Sequence, residues 1–444
     1  MKTPIYDFVK AYAESGTARF HMPGHKGREL LGIEKYDITE IGGADVLYDA
    51  HGIIDESETQ ATRLFGTAHT YYSTEGSTLS IKAMLAIAHW CRKERGSSVI
   101  LAARNVHKAF VNACALLDLD VQWISSGSEH ICKATVTAQD VRIALESGAA
   151  KPFAVYITSP DYLGNVADIR SIASVCDEYG VPLLVDNAHG AYLAFLEPSL
   201  HPIHLGAAMC ADSAHKTLPA LTGGAYLHIS KKYSEYTQIA RDVLGVFAST
   251  SPSYLTLASL DLTNKYLSDN FSDKLNVASE KISKIKERLE ERGFVFEGGE
   301  PMKMVISASK IGYDGNALGA YLRERGIECE FADAEYLVLM ATPENTDKEF
   351  AALEEALVSL EIRLPIKSSA PKTNIFAKRA VSIREATFSP CEMVDVQNAL
   401  GRICGTSTVS CPPAVPIVIS GELIDGRAVE LLEYYGVEKI KVLK

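Results

Sequence analysis

Short apolar runs alternate with amphipathic stretches between about residues 70 and 230. The apolar runs are Ser98–Ala103, Val121–Ser125, Phe153–Ser159, Val181–Asp186 and Gly224–Ile229. Stretches with helical spacing lie between them, including Thr78–Arg95 and Ile169–Tyr179. Strands that are apolar on both faces and separated by helices indicate an α/β fold with a mainly parallel sheet covered on both sides. In such a sheet a ligand binds at the carboxyl ends of the strands.

The pattern beyond this region predicts further segments. A charge-rich helix is expected over Asp269–Arg292, and alternating strands and helices follow it. Their ranges are Met302–Ala308 (strand), Asn316–Arg325 (helix), Tyr336–Ala341 (strand) and Asp347–Leu360 (helix). The polar stretch 362–375 contains two prolines and reads as a linker. The predicted segments are an amino-terminal arm (1–35), a large domain (36–268), a small α/β domain (269–365) and a carboxyl-terminal domain (366–444).

Composition narrows the class of protein. A chain of 444 residues is too long for one core, and a net charge of −12 disfavours nonspecific nucleic-acid binding. The nine cysteines form no CxxC pair, which favours free thiols in a reducing cytoplasm over disulfides or a metal site. The first residues do not resemble a signal peptide, and no apolar run approaches the roughly 20 residues that span a bilayer. We therefore expect a cytoplasmic protein that binds neither membrane nor metal.

Two residues thirty positions apart suggest ligand chemistry. Asp186 ends the apolar run of LLVDNAHGA, where a carboxylate is well placed to face a ligand, although such residues often only cap the next element. Lys216 lies among small polar residues in ADSAHKT, just before a predicted strand. Isolated lysines are mostly surface residues, but hydroxyl and imidazole neighbours could hold a phosphate here and lower the lysine pKa.

A third element, STEGSTLS, opens the helix that begins near residue 78. A glycine followed by the hydroxyls of Ser77 and Thr78 offers free amides, the positive end of a helix dipole and side-chain donors to a phosphate. Simple capping of the helix is the alternative explanation. We call Gly76, Ser77 and Thr78 the phosphate cup. Together with a lysine and an acid at the end of a strand, it matches the groups that bind pyridoxal phosphate. That cofactor requires a Schiff-base lysine and an ionised acid beside its pyridine nitrogen.

Longer motifs resemble the Orn/Lys/Arg decarboxylase family of fold-type-I pyridoxal-phosphate enzymes. They are FHMPGHKG (Phe20–Gly27), Asp37–Glu58, RNVHKAF (Arg104–Phe110), DSAHKTLPALTGGAYLH (Asp212–His228) and STSPSYLTLASLD (Ser249–Asp261). The similarity covers most of residues 1–265. It is weaker in the carboxyl-terminal segments REATFSP and CPPAVPIVISGELI. It implies a large domain with a mainly parallel, seven-stranded type of sheet, plus smaller α+β domains at the carboxyl terminus.

The resemblance also implies roles for individual residues. Lys216 would form the Schiff base, Asp186 would pair with the pyridine nitrogen, and His107 would stack on one ring face. Ala188 would lie under the opposite face, and His215 would lie beside the lysine. Phosphate contacts are implied for Ser77, Thr78 and Ser213.

The implied reaction is α-decarboxylation of lysine, arginine or ornithine, with Lys216 or His215 returning a proton to the α-carbon. The product, a diamine or agmatine, would serve polyamine biosynthesis. Carboxylates at Glu385, Glu392 and Glu422 are candidates for the substrate's side-chain cation, each with a solvated surface charge as the alternative. An aminotransferase, an aldolase, another lyase or a non-catalytic cofactor-binding protein remain alternatives, because the same lysine and aspartate serve them all.

Two departures from the family pattern affect assembly and substrate recognition. The first motif begins near residue 20, so we expect the chain to lack the response-regulator-like domain of the long members. A homodimer or tetramer is then expected, with Ser249–Tyr254 reaching the neighbouring site. The family's PPGIP-like motif reads Pro412-Pro413-Ala414-Val415-Pro416 in this shorter carboxyl-terminal region.

Overall fold

The computed structural model describes residues 1–92, 97–125, 130–133, 136–148, 150–367, 371, 377–406 and 414–444. Most of residues 368–375 in the predicted linker lie outside this set, as do Pro412 and Pro413 of the proline motif. Within the described residues, every helix is too short or too polar to cross a membrane.

The helices and strands follow one another along the whole chain. The helices are α1 Pro4–Glu14, α2 Ile53–Phe65, α3 Gly76–Trp90, α4 Lys108–Leu117, α5 Ala138–Ser147, α6 Ile169–Glu178, α7 Ala214–Thr217, α8 Thr237–Phe247, α9 Tyr254–Ser268, α10 Phe271–Glu291, α11 Gly315–Arg323, α12 Asp347–Val358, α13 Ile383–Phe388 and α14 Gly426–Tyr434. The strands are β1 His69–Ser73, β2 Val99–Ala102, β3 Asp120–Trp123, β4 Ala154–Thr158, β5 Leu183–Asp186, β6 Met209–Asp212, β7 Ala225–Ile229, β8 Phe296–Glu297, β9 Lys303–Ser307, β10 Phe331–Ala332, β11 Tyr336–Met340, β12 Cys391–Asp395 and β13 Lys439–Leu443.

The chain divides into two compact units. The first comprises Met1–Arg95 and Ile169–Asp273, and the second comprises Gly96–Asp168 and Lys274–Lys444. Seven strands make up the large sheet, four in the first unit (order β1-β7-β6-β5) and three in the second (order β4-β2-β3). The domain boundaries derived from the sequence remain predictions.

The first unit places the carboxyl ends of two parallel strands side by side. Strands β5 and β6 run parallel with Asp186 opposite Ala211, whereas β7 is antiparallel to both β6 and β1. Every side chain of β5, β6 and β7 is buried, as expected for a sheet covered on both faces. Helix α3 is buried along most of its length and packs against β6 and β7. Its amino terminus therefore lies at the level of the strands that carry the predicted site.

The second unit contains parallel and antiparallel sheets. Strand β2 pairs in parallel with both β3 and β4. A four-stranded antiparallel sheet has the order β10-β11-β9-β8, and β12 pairs antiparallel with β13. Capping boxes begin α5 at Thr137 and Asp140 and α12 at Thr346 and Glu349, which satisfies their first amides.

The predicted fold class is confirmed: the chain has an α/β fold, with a mainly parallel seven-stranded sheet and smaller carboxyl-terminal sheets. The five predicted strands of this sheet appear within two residues of their expected bounds. Strands β1 and β6 were not predicted. HTYYS (β1) has no aliphatic run and pairs only along one edge with β7, and MCAD (β6) is short and has no β-branched residue.

Candidate active site

Lys216 is carried by the short helix α7, which directly follows β6. Its backbone amide donates to the carbonyl of Ser213 at 3.1 Å, which closes the turn. The side chain is half-buried, and Nζ lies 3.0 Å from Nε2 of His189. His189 is itself only 6% exposed, so the lysine amine meets an imidazole in a largely desolvated setting. The contact places the amine of Lys216 beside a group that can accept or return a proton.

Asp186 is the last residue of β5 and is 2% exposed. Its Oδ1 accepts a hydrogen bond from the amide of Ala188 at 3.2 Å, which turns the chain sharply after the strand. The apolar residues before Asp186 bury the strand and leave its carboxylate at the strand's carboxyl end. This is the edge at which ligands bind in parallel sheets.

The predicted phosphate cup lies where α3 begins. Gly76 adopts a φ of +68°, and its amide donates to the carbonyl of Gly223 at 2.8 Å. Gly223, at φ +95°, is required because a Cβ there would approach the carbonyl oxygen of Thr74 to 2.7 Å. The side chain of the N-cap residue Glu75 makes no capping hydrogen bond, so the first-turn amides that follow Gly76 can bind an anion.

Two of the predicted phosphate ligands lie together at this cup. The hydroxyl of Ser213 donates to the hydroxyl of Ser77 at 2.8 Å, although 136 residues separate them. Thr78, the third predicted ligand, is exposed in the first turn of α3. The structure thus brings the turn before Lys216 to the helix terminus of α3.

The remaining predicted site residues fall in different surroundings. His215 directs Nδ1 to the carbonyl of Gly224 at 3.0 Å, and burial, together with the charge of Lys216, lowers its pKa. Ala188 is half-buried in the loop after β5. His107 belongs to the second unit, where its Nδ1 caps α4 by accepting from the amide of Ala109 at 3.1 Å. Its stacking role remains a prediction.

Sequence reasoning gave no role to His189, which the structure places against the lysine amine. The available signal was its position in DNAHGA, three residues after Asp186 at the same strand end. Parallel pairing of β5 with β6 brings that loop beside the turn that carries Lys216. His215, the neighbour of Lys216 in sequence, points in a different direction, as successive residues of a helical turn do, and its role as a proton donor remains a prediction.

The three carboxylates considered for substrate binding have other environments. Glu422 is buried and accepts from Arg104 at 3.2 Å and from the amide of Ile419 at 2.8 Å. Glu392 is exposed and pairs with Arg402 at 2.7 Å. Glu385 is exposed in the first turn of α13.

The residues of the first unit fit pyridoxal phosphate. An amine, a strand-end carboxylate and a cup of hydroxyls and uncapped amides match the cofactor's aldehyde, ring nitrogen and phosphate. Two buried polar atoms beside this set, Asn187 Oδ1 and Thr217 Oγ1, have no hydrogen-bond partner within the part of the chain that is described. Orphaned buried atoms of this kind are expected where a bound group supplies the missing partner.

Comparison with protein families gives two matches. The profile of the Orn/Lys/Arg decarboxylase major domain matches residues 3–298. The profile of the Orn/Lys/Arg decarboxylase carboxyl-terminal domain matches residues 368–440.

Named relatives are similar over different shares of the chain. An arginine decarboxylase of Halalkalibacterium halodurans is 28% identical over 95% of this chain and 91% of its own length. The constitutive lysine decarboxylase of Escherichia coli is 25% identical over 62% of this chain and 39% of its own length.

Solved structures show the same fold. The structure of the Escherichia coli constitutive lysine decarboxylase superposes with a TM-score of 0.78 at 19% identity, covering 100% of this chain and 82% of that one. The two profile matches together span both ends of the sequence. The chain belongs to the Orn/Lys/Arg decarboxylase family, whose members are pyridoxal-phosphate-dependent carboxy-lyases.

Proposed function

We propose that this basic amino-acid decarboxylase acts on arginine, releasing CO2 and agmatine. The support is the share of this chain that each group of relatives matches. The relatives named arginine decarboxylase from Halalkalibacterium halodurans and Bacillus subtilis are similar over 95% of this chain. The relatives named lysine decarboxylase from Escherichia coli and Pseudomonas aeruginosa are similar over 62% and 59% of it. Lysine and ornithine are the alternative substrates.

The residues assigned to the cofactor are those that the sequence indicated. Lys216 would hold it covalently through Nζ, and Asp186 would face its pyridine nitrogen. Ser77, Thr78 and Ser213, with the first amides of α3, would hold its phosphate. The contact between the Ser213 and Ser77 hydroxyls carries this assignment, since it puts two phosphate donors at the turn that leads to Lys216. By resemblance alone, His107 would stack on one ring face and Ala188 would lie under the other.

The bound cofactor supplies an electron sink for the electron pair that the departing carboxylate leaves on the α-carbon. Asp186 would hold a proton on the pyridine nitrogen. The buried carboxylate and the protonated ring nitrogen would stabilise each other, because each supplies the opposite charge that a buried ion requires. Helix α3 offsets the phosphate charge with the positive end of its dipole.

Proton delivery falls to the groups around Lys216. The α-carbon must gain one proton after it loses CO2, and Nζ of Lys216 can deliver it as an ammonium. His189, at 3.0 Å from Nζ, can exchange a proton with that amine. His215 is the second candidate donor, and its lowered pKa keeps the imidazole mostly neutral at neutral pH.

The test is CO2 release from arginine, lysine and ornithine, each supplied alone, with identification of the amine product. The proposal predicts the highest kcat/KM for arginine, with agmatine formed in equal amount to CO2. Faster turnover of lysine or ornithine would overturn the arginine assignment. Formation of a keto acid without CO2 would instead favour an aminotransferase.

We also infer assembly into a homodimer or tetramer in which Ser249–Tyr254 reaches the neighbouring site. The support is that Ser249 and Ser251 are exposed, while the Ser249 amide donates to Glu75 at 2.7 Å beside the phosphate cup. Mass measurement in solution at several protein concentrations tests the assembly, and a monomer at all of them would contradict it.

Two further expectations belong to this proposal. The free thiols support a cytoplasmic location, and the proposed amine product supports a role in polyamine biosynthesis.

A further inference from the structure

A buried carboxylate lies one residue before the phosphate-cup residue Ser213. Asp212 ends β6 and is fully buried. Its Oδ1 accepts from Nδ2 of Asn187 at 2.7 Å, and its Oδ2 lies 3.0 Å from Nε2 of His201 and 3.2 Å from Nε2 of His228. The carboxylate thus meets three side chains from three other parts of the first unit.

The partners of Asp212 are arranged to stabilise its negative charge. Burial by itself would raise the pKa of Asp212, but the facing imidazoles of His201 and His228 outweigh it and hold that pKa below its usual value. Burial lowers the pKa of His201, so this imidazole donates through a neutral Nε2–H. Nδ1 of His228 lies 2.9 Å from the hydroxyl of Thr70, which can donate to it and leave Nε2–H directed at Asp212.

The hydrogen bond from Asn187 joins the two strand ends that carry the site. Asn187 directly follows Asp186, and its backbone amide donates to the carbonyl of Ala211 at 2.9 Å. The side-chain bond to Asp212 continues this pairing one residue further, beyond the last backbone bond. Asp212 in turn precedes Ser213 and the turn that holds Lys216. A charge-assisted hydrogen bond therefore adds to the backbone pairing between the segment that follows Asp186 and the segment that leads to Lys216.

The same cluster has the composition of a zinc site, since His201, Cys210, Asp212 and His228 offer ligand atoms within 4.8 Å of one another. Its geometry favours hydrogen bonding. Both imidazoles approach one carboxylate oxygen at hydrogen-bond distance, and the other oxygen is taken by an amide. Burial raises the pKa of the Cys210 thiol, and the charge of Asp212 raises it further, which favours a protonated thiol 3.7 Å from the carboxylate.

We propose that Asp212 is a positioning residue of the cofactor site, which holds Asp186 and Lys216 in register through Asn187. The inference rests on the proposed function and deepens it. Asp212 would contact neither substrate nor cofactor; it would act by fixing the two loops that do. A site built from the ends of two strands needs neighbouring residues that hold both ends in the geometry that binds the cofactor.

The test compares Asp212→Asn and Asn187→Ala with Asp261→Asn. The control removes another buried carboxylate of the same unit, which binds the amides of Ile5 and Tyr6 and the hydroxyl of Ser57 instead of a strand end. For each protein, three quantities are measured: the dissociation constant for pyridoxal phosphate, the pH midpoint of the visible absorbance band of the lysine-bound cofactor, and the thermal midpoint of the cofactor-free protein.

We expect Asp212→Asn and Asn187→Ala to weaken cofactor binding by roughly tenfold, the change expected from losing one hydrogen bond to a charged group. Both should also shift the pH midpoint of the band. Asp261→Asn should lower the thermal midpoint but leave both cofactor properties at their wild-type values. Should Asp212→Asn not fold, Asp212→Glu, which keeps the buried charge but moves the oxygen that accepts from Asn187, replaces it beside Asn187→Ala.

Wild-type cofactor affinity and pH midpoint in both Asp212→Asn and Asn187→Ala would overturn the inference. One bound zinc per chain that Asp212→Asn removes would overturn it too, in favour of a metal centre. A wild-type protein without any borohydride-sensitive visible band would overturn the proposed function itself. That result is distinguishable because it does not depend on any variant.

Discussion

Nε2 of His189 lies 3.0 Å from Nζ of Lys216, although the two residues are 27 positions apart in the chain. Each follows a strand of the parallel pair β5 and β6, so the sheet itself creates the contact. An imidazole at this distance can take a proton from the lysine ammonium or return one to the amine. The residue proposed to hold the cofactor is therefore in contact with an imidazole that can exchange protons with it.

His189→Gln should therefore reduce kcat by about 100-fold or more, the usual contribution of general acid–base catalysis. The dissociation constant for pyridoxal phosphate should change much less, because the phosphate cup and Asp186 are untouched. His204→Gln is the control, since His204 is a histidine of the same unit that is bonded to Ser199 and the carbonyl of Phe65 and has no contact with Lys216. Steady-state kinetics measures the effect, and a kcat equal to that of the control would contradict the role of His189.

Ser77→Ala and Ser213→Ala should each weaken cofactor binding by about 0.5–1.5 kcal/mol, the net value of one hydrogen bond. The effects should not be additive, because the two hydroxyls contact each other at 2.8 Å. Titration of the cofactor-free single and double variants with pyridoxal phosphate gives the coupling energy. Additive losses would mean that the two hydroxyls act on the cofactor independently.

Asp261 should make stability depend on pH. Burial raises its pKa from 3.8 to about 6, against the opposing hydrogen bonds from Ser57 and the amides of Tyr6 and Ile5. The folded state then binds a proton that the unfolded state has released, so this contribution to stability falls as pH rises from about 4 to 6. The change is on the order of 3 kcal/mol.

Chemical denaturation of wild type and Asp261→Asn across this pH range isolates the effect. The difference in unfolding free energy should move in favour of the variant as pH rises to about 6 and stay constant above it. A difference that does not change with pH would show that Asp261 keeps an ordinary pKa in the folded protein.

Glu422→Gln should destabilise the protein instead of raising KM. Glu422 is buried against Arg104, and removing one partner of such a pair leaves an uncompensated charge, a loss on the order of 3 kcal/mol. The exposed pair of Glu392 and Arg402 is the control, and Glu392→Gln should cost less than about 1 kcal/mol. Thermal unfolding and kinetics measure both effects. A large rise in KM for Glu422→Gln at unchanged stability would instead place this carboxylate at the substrate.

Five of the seven strands of the large sheet were predictable because their signal is local. An apolar run such as Leu183–Asp186, or the longer apolar stretch of α3, is visible in the sequence alone. Strand β1 lacks such a run, and only its pairing with β7 makes it a strand. Lys216 and Asp186 were predicted as site residues because their motifs hold both the residue and its chemistry, and their roles toward the cofactor remain proposals.

The contacts within the site were not predictable, because they depend on which strands become neighbours. His189 meets Lys216, and Asn187 meets Asp212, only once β5 and β6 pair in parallel. The resemblance implied that His215 lies beside the lysine. Its Nδ1 faces a backbone carbonyl, and its role as a proton donor remains a prediction. The stacking role of His107 rests on the family resemblance and remains a prediction.

The most direct test of the central claim is to reduce the purified holoenzyme with borohydride and locate the modified lysine by peptide mass spectrometry. Reduction fixes the cofactor permanently to the amine that holds it. The account predicts a single pyridoxyl group on Lys216, loss of the visible absorbance band and loss of CO2 release from arginine. A modified lysine elsewhere, or a fully active enzyme after reduction, would contradict it.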